Sequence, residues 1–307
     1  MDVSVVLCTY TMDMFDHFVE AAESVLDQSY SDVELVVVVD GDRDVYDRVE
    51  ERFDDDRVTL SLNEENRGLL ESRNRGARLA SGDVVAFIDD DAVAEPDWIA
   101  ELVEMYETHD VEAVGGRMEP IWVAGKPGYL PEEFYWLVGV THRGFGDEGE
   151  VRNTFGSNIS FRREVFLELG GFDTDIGGRK GDRNLQGGET ELCARLRSEL
   201  DGRLYYTPRA RVGHKVFEYR TELGWLLRRA FWQGYSKRAM ETLVPESGDE
   251  ETAFLGDLLL RFAPDRLRKT ILGPSLSQAT KFLMIFVLTA CVGIGYLYGA
   301  ISYRSRG

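Results

Sequence analysis

Four short strand-like runs, three of them largely apolar, punctuate the first third of the chain. They are Val3 to Tyr10 (VSVVLCTY), Val33 to Val39 (VELVVVV), Val58 to Leu62 and Val84 to Ile88 (VVAFI). The three apolar runs, short and continuous, predict strands buried on both faces of a sheet, and Val58 to Leu62 (VTLSL) reads as a further strand. Between them, Phe15, Phe18, Val19, Ala22, Val25 and Leu26 recur at helical spacing, and a second helix is predicted over roughly Asp44 to Phe53. Glu65 to Gly76 reads as a loop turning into a third helix that runs to about Ala80. Strands alternating with helices predict right-handed βαβ units, hence an α/β fold with a mostly parallel sheet. In such sheets ligands gather beyond the carboxyl ends of the strands. Thr9 and Tyr10, Asp40, Asn66 to Arg73, and Asp89 to Asp91 all fall on that edge.

Past Pro96-Asp97-Trp98 the alternation weakens. Val111 to Met118 reads as a further strand. Residues 120–150, with Pro120, Pro127 and Pro131 among glycines and aromatics, read as irregular loops that shape a pocket or acceptor groove. Thr154 to Arg162 leads into a helix ending at Gly170-Gly171. Residues 174–188 read as a glycine-rich loop, Glu189 opens a helix to about Leu200, and Tyr205 to Val216 forms a last strand region containing His214.

The remainder has a different pattern. Residues 222–243 form a basic, aromatic helix, 245–251 an acidic linker, and 253–272 an amphipathic stretch with Arg261, Arg266, Arg268 and Lys269 beside leucines. That pattern suits an anionic membrane surface. Phe282 to Tyr303 carries no charge over about 22 residues, long enough to span a bilayer. Lys281 at one end and Arg304 and Arg306 at the other leave its direction open.

Composition adds an environment. Asp and Glu number 55 against 35 Lys and Arg, and the net charge is −20. So acidic a chain is no general nucleic-acid binder. With lysine so scarce, it points to a cytosol of high salt, where self-repulsion is screened. Cys8, Cys193 and Cys291 have no framework or metal spacing and read as reduced. The N-terminus runs straight into a strand, which argues against a secretory signal.

The chemistry starts at Asp89-Asp90-Asp91, three carboxylates directly after a buried strand. Carboxylates so crowded repel one another and favour a bound cation. A hard divalent ion held by one or two carboxylates commonly shares its shell with a substrate phosphate, so the stretch points to a metal-and-phosphate site.

Taken together, SVVLCTY, VVVVDG, NRGLLESRN, FIDDDAVAEPDW, GSNISFRREVFLELGGFD and GGETELCARLR resemble, in order over roughly residues 1–215, the family 2 glycosyltransferases of GT-A fold. The resemblance implies a Rossmann-like sheet flanked by helices, a UDP-sugar donor and Mg²⁺ or Mn²⁺. Thr9 matches a position at the uridine, Tyr10 beside it is a further candidate for binding the nucleotide sugar, and Asp40 matches a carboxylate that accepts from the uracil ring. Asn66 and Gly68 shape the loop before Arg73, a basic residue near the donor. Asp89 and Asp91 match the ends of the family's D-x-D motif. Asp91 is then the direct metal ligand and Asp89 holds the ribose or a metal-bound water, with Asp90 able to share either role. Glu189 falls where the family places its catalytic base, although the preceding acid is replaced by Gly188, and Glu191 is a rival two residues on. His214 resembles a histidine near the metal or diphosphate in some members; satisfaction within the fold is its other reading. Asn158, Arg179, Lys180 and Arg183 are candidates for holding a donor carboxylate or an acceptor phosphate.

The expected layout is a catalytic domain over 1–218, with a nucleotide-binding half at 1–92 and an acceptor-binding half at 93–218. An amphipathic helical segment at 219–278 and a transmembrane helix at 281–303 follow. The tail points to a lipid-borne acceptor, a dolichyl or polyprenyl phosphate or a sugar already linked to one. The whole resembles archaeal glycosyltransferases that build lipid-linked glycans for protein N-glycosylation and surface-layer glycoproteins, some of which transfer hexuronic acids. Expected partners are therefore the donor, the lipid-linked acceptor, the membrane and other enzymes of glycan assembly. The expected location is the cell membrane, with the catalytic domain in the cytosol. Three other readings fit less well. A processive polysaccharide synthase would need several spanning helices and a Q-x-x-R-W motif not found near Gln233. A glycoside hydrolase using paired carboxylates would leave the phosphate edge unexplained. A non-catalytic nucleotide-sugar-binding protein would not need a base.

Overall fold

The computed structural model describes residues 1–176, 178–180, 183–243 and 254–304, and the side chains at 177–184, 242–253 and 303–307 lie outside the described set. The chain divides into two compact units. Unit 1 holds Met1–Glu119, Asp147–Gly178 and Gly188–His214; unit 2 holds Pro120–Gly146, Arg179–Gly187 and Lys215–Gly307.

The strands are β1 Val3–Thr9, β2 Val33–Asp40, β3 Val58–Asn63, β4 Val84–Asp89, β5 Ala92–Ala94, β6 Ala113–Trp122, β7 Gly149–Val151, β8 Ile159–Arg162, β9 Gly178–Lys180, β10 Arg183–Leu185 and β11 Leu204–Val216. The helices are α1 Phe15–Leu26, α2 Arg43–Arg52, α3 Leu69–Leu79, α4 Trp98–Thr108, α5 Arg163–Glu168, α6 Gly188–Leu200, α7 Leu223–Leu243, α8 Ala263–Leu272 and α9 Leu276–Arg304. The main sheet runs β3-β2-β1-β4-β8-β6-β11-β5, with β7 on β11. β1 to β4 are mutually parallel, and β8 enters antiparallel between β4 and β6. The apolar runs of β1, β2 and β4 are buried along almost their whole length, as two-sided strands must be. α3 sits close on β1, because a side chain at Gly76 would run into Val6.

Three predicted stretches differ in detail. Residues 120–150 are less irregular than expected: β6 continues through Trp122, and a 3₁₀ segment covers Glu132–Val138. The glycine-rich loop contains the two-stranded β9-β10 sheet. The amphipathic stretch is helical from 254 to 272 but not regularly α-helical. A π-helical turn over Leu258–Phe262 precedes α8, whose first turn holds Pro264. Proline has no N–H for the carbonyl four residues back, which loosens the ladder there.

Unit 2 is fastened by a buried ionic cluster. Arg266 donates to Glu133, which is fully buried, at 2.9 Å, and also pairs with Glu132. Arg143 bridges Glu133 at 3.0 Å and Asp265 at 2.7 Å. Burial opposes ionisation of Glu132, but hydrogen bonding and charge from Arg266 prevail and hold its carboxyl at about 2, below the ordinary 4.5. A carboxylate depressed in the folded state contributes stability above its unfolded pKa and loses it as pH falls towards the folded one. Stability of the wild type is therefore expected to decline between about pH 4.5 and pH 2, and Glu132→Gln is expected to flatten that part of a denaturation-midpoint series against pH.

Candidate active site

The strand register brings Thr9, Asp40 and Asp89 within two residues of one another along the sheet edge. Cys8 lies opposite Asp89, Thr9 opposite Val39, and Asp40 opposite Asn63. Thr9 is buried and Tyr10, just past the strand, is 57% exposed. The buried Asp40 carboxylate accepts from the backbone N–H of Arg67 at 2.9 Å and of Gly68 at 2.8 Å, and from the Asn63 amide at 2.8 Å. It thereby caps the N-terminal end of α3 with negative charge. The Asn66 amide donates to the Asp40 carbonyl at 3.4 Å, and Gly68 takes φ +88, a conformation that favours glycine. Asn63, which also donates to Ser72 at 2.9 Å, was not singled out in the sequence; its place at the end of an apolar strand is the signal that marks it.

The capped helix aims Arg73 inward. Its guanidinium is 1% exposed, lies over the rings of Phe87 and Phe172, and reaches Asp89 Oδ1 at 2.6 Å through Nη2. Through Nη1 it reaches Glu189 Oε1 at 3.3 Å. One buried cation thus joins the D-x-D stretch to the first turn of α6. Burial works against the Arg73 charge, and Asp89 and Glu189 more than restore it, so the guanidinium is held protonated. Glu189 and Glu191 have different surroundings. The Glu189 side chain is 27% exposed, whereas Glu191 is buried and forms a two-pronged pair with Arg195 at 2.5 and 2.8 Å. Arg195 also holds the carbonyls of Leu169 and Gly171, so Glu191 is spent on the turn that follows α5.

Gly156 makes the Arg73–Glu189 contact possible. A Cβ there would lie 2.0 Å from Glu189 Oε1 and 2.8 Å from Arg73 Nη1. With Glu189 as the expected base, Gly156→Ala is expected to displace its carboxylate and lower turnover about 10²-fold, the order that misplacing a reacting group by about 1 Å costs. Steady-state kinetics would register this mainly in kcat.

The second acidic group sits beside β5 and β11. Their pairing sets His214 opposite Ala92, the residue after Asp91, and His214 Nδ1 lies 3.2 Å from Asp91 Oδ1. Both side chains are buried. Burial, then the neighbouring Asp89 and Asp91, push the Asp90 carboxyl up to about 7. Three adjacent carboxylates, one of them pressed towards neutrality, with an imidazole alongside, form a donor set that fits a divalent cation. Among the described residues no three such side chains already converge as a ligand cage. An ion held by Asp91 and His214 would therefore take its remaining ligands from phosphate or water.

Asn158 has another place than the one expected. It is fully buried, accepts from Trp98 Nε1 at 2.8 Å, and donates to the carbonyls of Arg117 at 3.1 Å and Ala210 at 3.0 Å. Both amide hydrogens are used inside the fold, which ties β8 to its neighbours and leaves none for an acceptor or phosphate. The Arg179, Lys180 and Arg183 side chains lie outside the described residues.

The chain is similar to known proteins. A glucosyl-dolichyl phosphate glucuronosyltransferase of Haloferax volcanii is 54% identical over 305 residues, covering 98% of this chain and 97% of its own. A mannosyltransferase from Pyrobaculum calidifontis, solved with GDP-Man and Mn²⁺, superposes with a TM-score of 0.60 at 20% identity, covering 97% of this chain and 86% of that one. Residues 1–349 of TarS from S. aureus, solved with UDP-GlcNAc, superpose with a TM-score of 0.57 at 15% identity, covering 99% of this chain and 92% of that one. At such identities the likeness is one of fold, and the fold is GT-A. The family model for glycosyl transferase family 2 matches residues 4–170. With that match and a full-length relative at 54% identity, the chain belongs to the family 2 glycosyl transferases.

Proposed function

We propose that this glycosyltransferase moves a hexuronic acid, in the first instance glucuronic acid, from a UDP-sugar to glucosyl-dolichyl phosphate at a membrane, for a glycan destined for protein N-glycosylation. The acceptor and sugar rest on the relative in Haloferax volcanii, whose name specifies them. The chemistry rests on one observation above all: Arg73 holds Glu189, partly exposed, beside Asp89 on the carboxyl edge of the sheet.

In this reading Thr9, Tyr10 and Asp40 receive the nucleoside. Asp40 has three of its roughly four acceptor positions occupied, which leaves one for a ring N–H. Asn66 and Gly68 shape the adjoining loop, and Asp89 holds the ribose. Glu189 takes the proton from the acceptor hydroxyl as that oxygen attacks the anomeric carbon. The C–O bond to the diphosphate breaks on the opposite side, so a single displacement inverts the anomeric centre. Asp91 and His214 would hold the metal, Mg²⁺ or Mn²⁺, with Asp90 close by. A divalent ion bound there supplies positive charge to the departing diphosphate. The basic residues Arg179, Lys180 and Arg183 remain candidates for the hexuronate carboxylate or the acceptor phosphate.

Asp91→Ala is expected to lower turnover about 10²- to 10³-fold, the order seen when one preorganised electrostatic group is lost. Its residual rate should no longer respond to added Mn²⁺. The reading as a whole is tested by following UDP release from a panel of UDP-sugars, hexuronates included, with and without glycosylated dolichyl phosphate. Release that requires both a UDP-hexuronate and the lipid supports it. Release that is indifferent to the lipid, or that occurs only with another donor, overturns it.

A further inference from the structure

α9 is the one described helix long and apolar enough to cross a membrane. Its packing within unit 2 indicates how it meets one. The helix is fastened along its length. Near its start, Lys281 lies 3.8 Å from Glu132 with its side chain only 12% exposed. One turn on, Met284, Ile285 and Leu288 are buried. At its middle, the Val292 carbonyl occupies the space a Cβ on Gly234 of α7 would need, at 1.9 Å. The Phe231 carbonyl does the same at Gly295, also at 1.9 Å, and Gly299 meets the Arg238 side chain. Gly295 and Gly299 form a small-xxx-small face, the kind that lets two helix backbones approach closely. The partner it accepts here is α7. Nearby, Tyr296 donates to Glu241 of α7 at 2.6 Å.

α7 cannot follow α9 through hydrocarbon. It carries Arg228, Arg229, Lys237, Arg238 and Glu241 within 21 residues. Charges at bilayer depth are costly. A helix bonded at its midpoint to such a partner stays where the partner is tolerated, in the headgroup region. The opposite face of α9 supplies the other half of the argument. Leu276, Leu283, Phe286, Ile294, Leu297 and Ile301 are all exposed, and their spacing of threes, fours, sevens and eights places them on one stripe. Leu260, 84% exposed, and Leu272, 72% exposed, add apolar surface around α8, beside the exposed Arg261, Arg268 and Lys269. An apolar stripe with neighbouring cations matches the acyl–headgroup boundary of an anionic leaflet.

We propose that α9 lies along the membrane as the outer face of a packed helical platform and seats its stripe in one leaflet, instead of crossing the bilayer. At multimolar salt the Debye length is about 3 Å or less, so the stripe, more than the cations, carries the attachment.

The test reads sidedness and not turnover, so it stands apart from the proposed reaction. In the full chain with Cys291→Ala, single cysteines are placed at Glu51 (an exposed residue of α2), at Ser275 and after Gly307. Sealed membrane vesicles from expressing cells are treated with a membrane-impermeant maleimide; Cys8 and Cys193 are buried. The proposal predicts that all three sites label from the same side. Labelling of the cysteine after Gly307 from the side opposite Glu51 overturns it. A second arm floats purified chain with phosphatidylglycerol vesicles in high salt. Wild type should float, and the Leu283→Glu/Leu297→Glu variant, with an unchanged melting temperature, should be recovered at least tenfold less. Failure of the wild type to float, or flotation of the variant equal to wild type, contradicts the proposal.

Discussion

Glu189→Gln is expected to lower turnover by roughly 10²- to 10⁴-fold, the contribution usual for a positioned general base. The glutamine keeps the volume of Glu189 and an acceptor oxygen for Arg73, 3.3 Å away, but cannot take a proton from the acceptor hydroxyl. Donor binding, measured by calorimetry, should therefore persist while kcat collapses. Glu191→Gln forms the contrast. Its carboxylate is bound in two-pronged fashion to Arg195, and Arg195 secures the turn at Leu169 and Gly171. Loss of a charge-assisted hydrogen bond there is expected to cost about 1.5–3 kcal/mol of stability, with turnover of the folded fraction largely kept. The reverse pattern, an active Glu189→Gln and a folded but inactive Glu191→Gln, would transfer the base to Glu191.

Arg266→Ala is expected to destabilise the protein by about 3 kcal/mol, at the low end for breaking a buried pair. Glu133 is fully buried, and Arg266 gives it several hydrogen bonds. Removing the guanidinium still leaves that carboxylate paired with Arg143, which is why the cost stays at the low end. The penalty comes from the stranded charge more than from the lost attraction. A paired Arg266→Leu/Glu133→Leu replacement should therefore recover most of the loss. Denaturant unfolding at fixed salt measures both. A single-variant loss below about 1 kcal/mol, the range of an exposed pair, would show that the cluster is solvated in solution.

The sheet edge was legible in the sequence because β1, β2 and β4 are short apolar runs that stop at a polar residue. Thr9, Asp40 and Asp89 were placed by that pattern, and the register of β1, β2 and β4 sets them within two residues of one another along the edge. The link between the two halves of the site was not legible. Arg73 reaches Asp89 across 16 residues and Glu189 across 116, and no local pattern records contacts made through a buried helix face. The same limit explains Asn158. Its partner Trp98 is 60 residues away, so a polar residue in a recognisable motif looked like a ligand contact when it was an internal tie. Choosing between Glu189 and Glu191 depended likewise on Arg195, four residues beyond Glu191, which an acidic helix start gives no reason to favour. In the tail the length and apolarity of α9 were plain, but hydropathy says nothing of Gly234 or of the face that α7 covers.

In the proposed reaction this chain extends a dolichyl-phosphate-linked sugar by one hexuronate. The most direct measurement is mass spectrometry of the lipid recovered after incubating the purified chain with UDP-glucuronic acid, glucosyl-dolichyl phosphate and Mn²⁺, with Glu189→Gln alongside. The expected result is a product heavier by one hexuronic acid residue, formed by wild type and absent with the variant. An unchanged lipid in the presence of bound donor, or an extended lipid formed equally well by Glu189→Gln, would contradict the account.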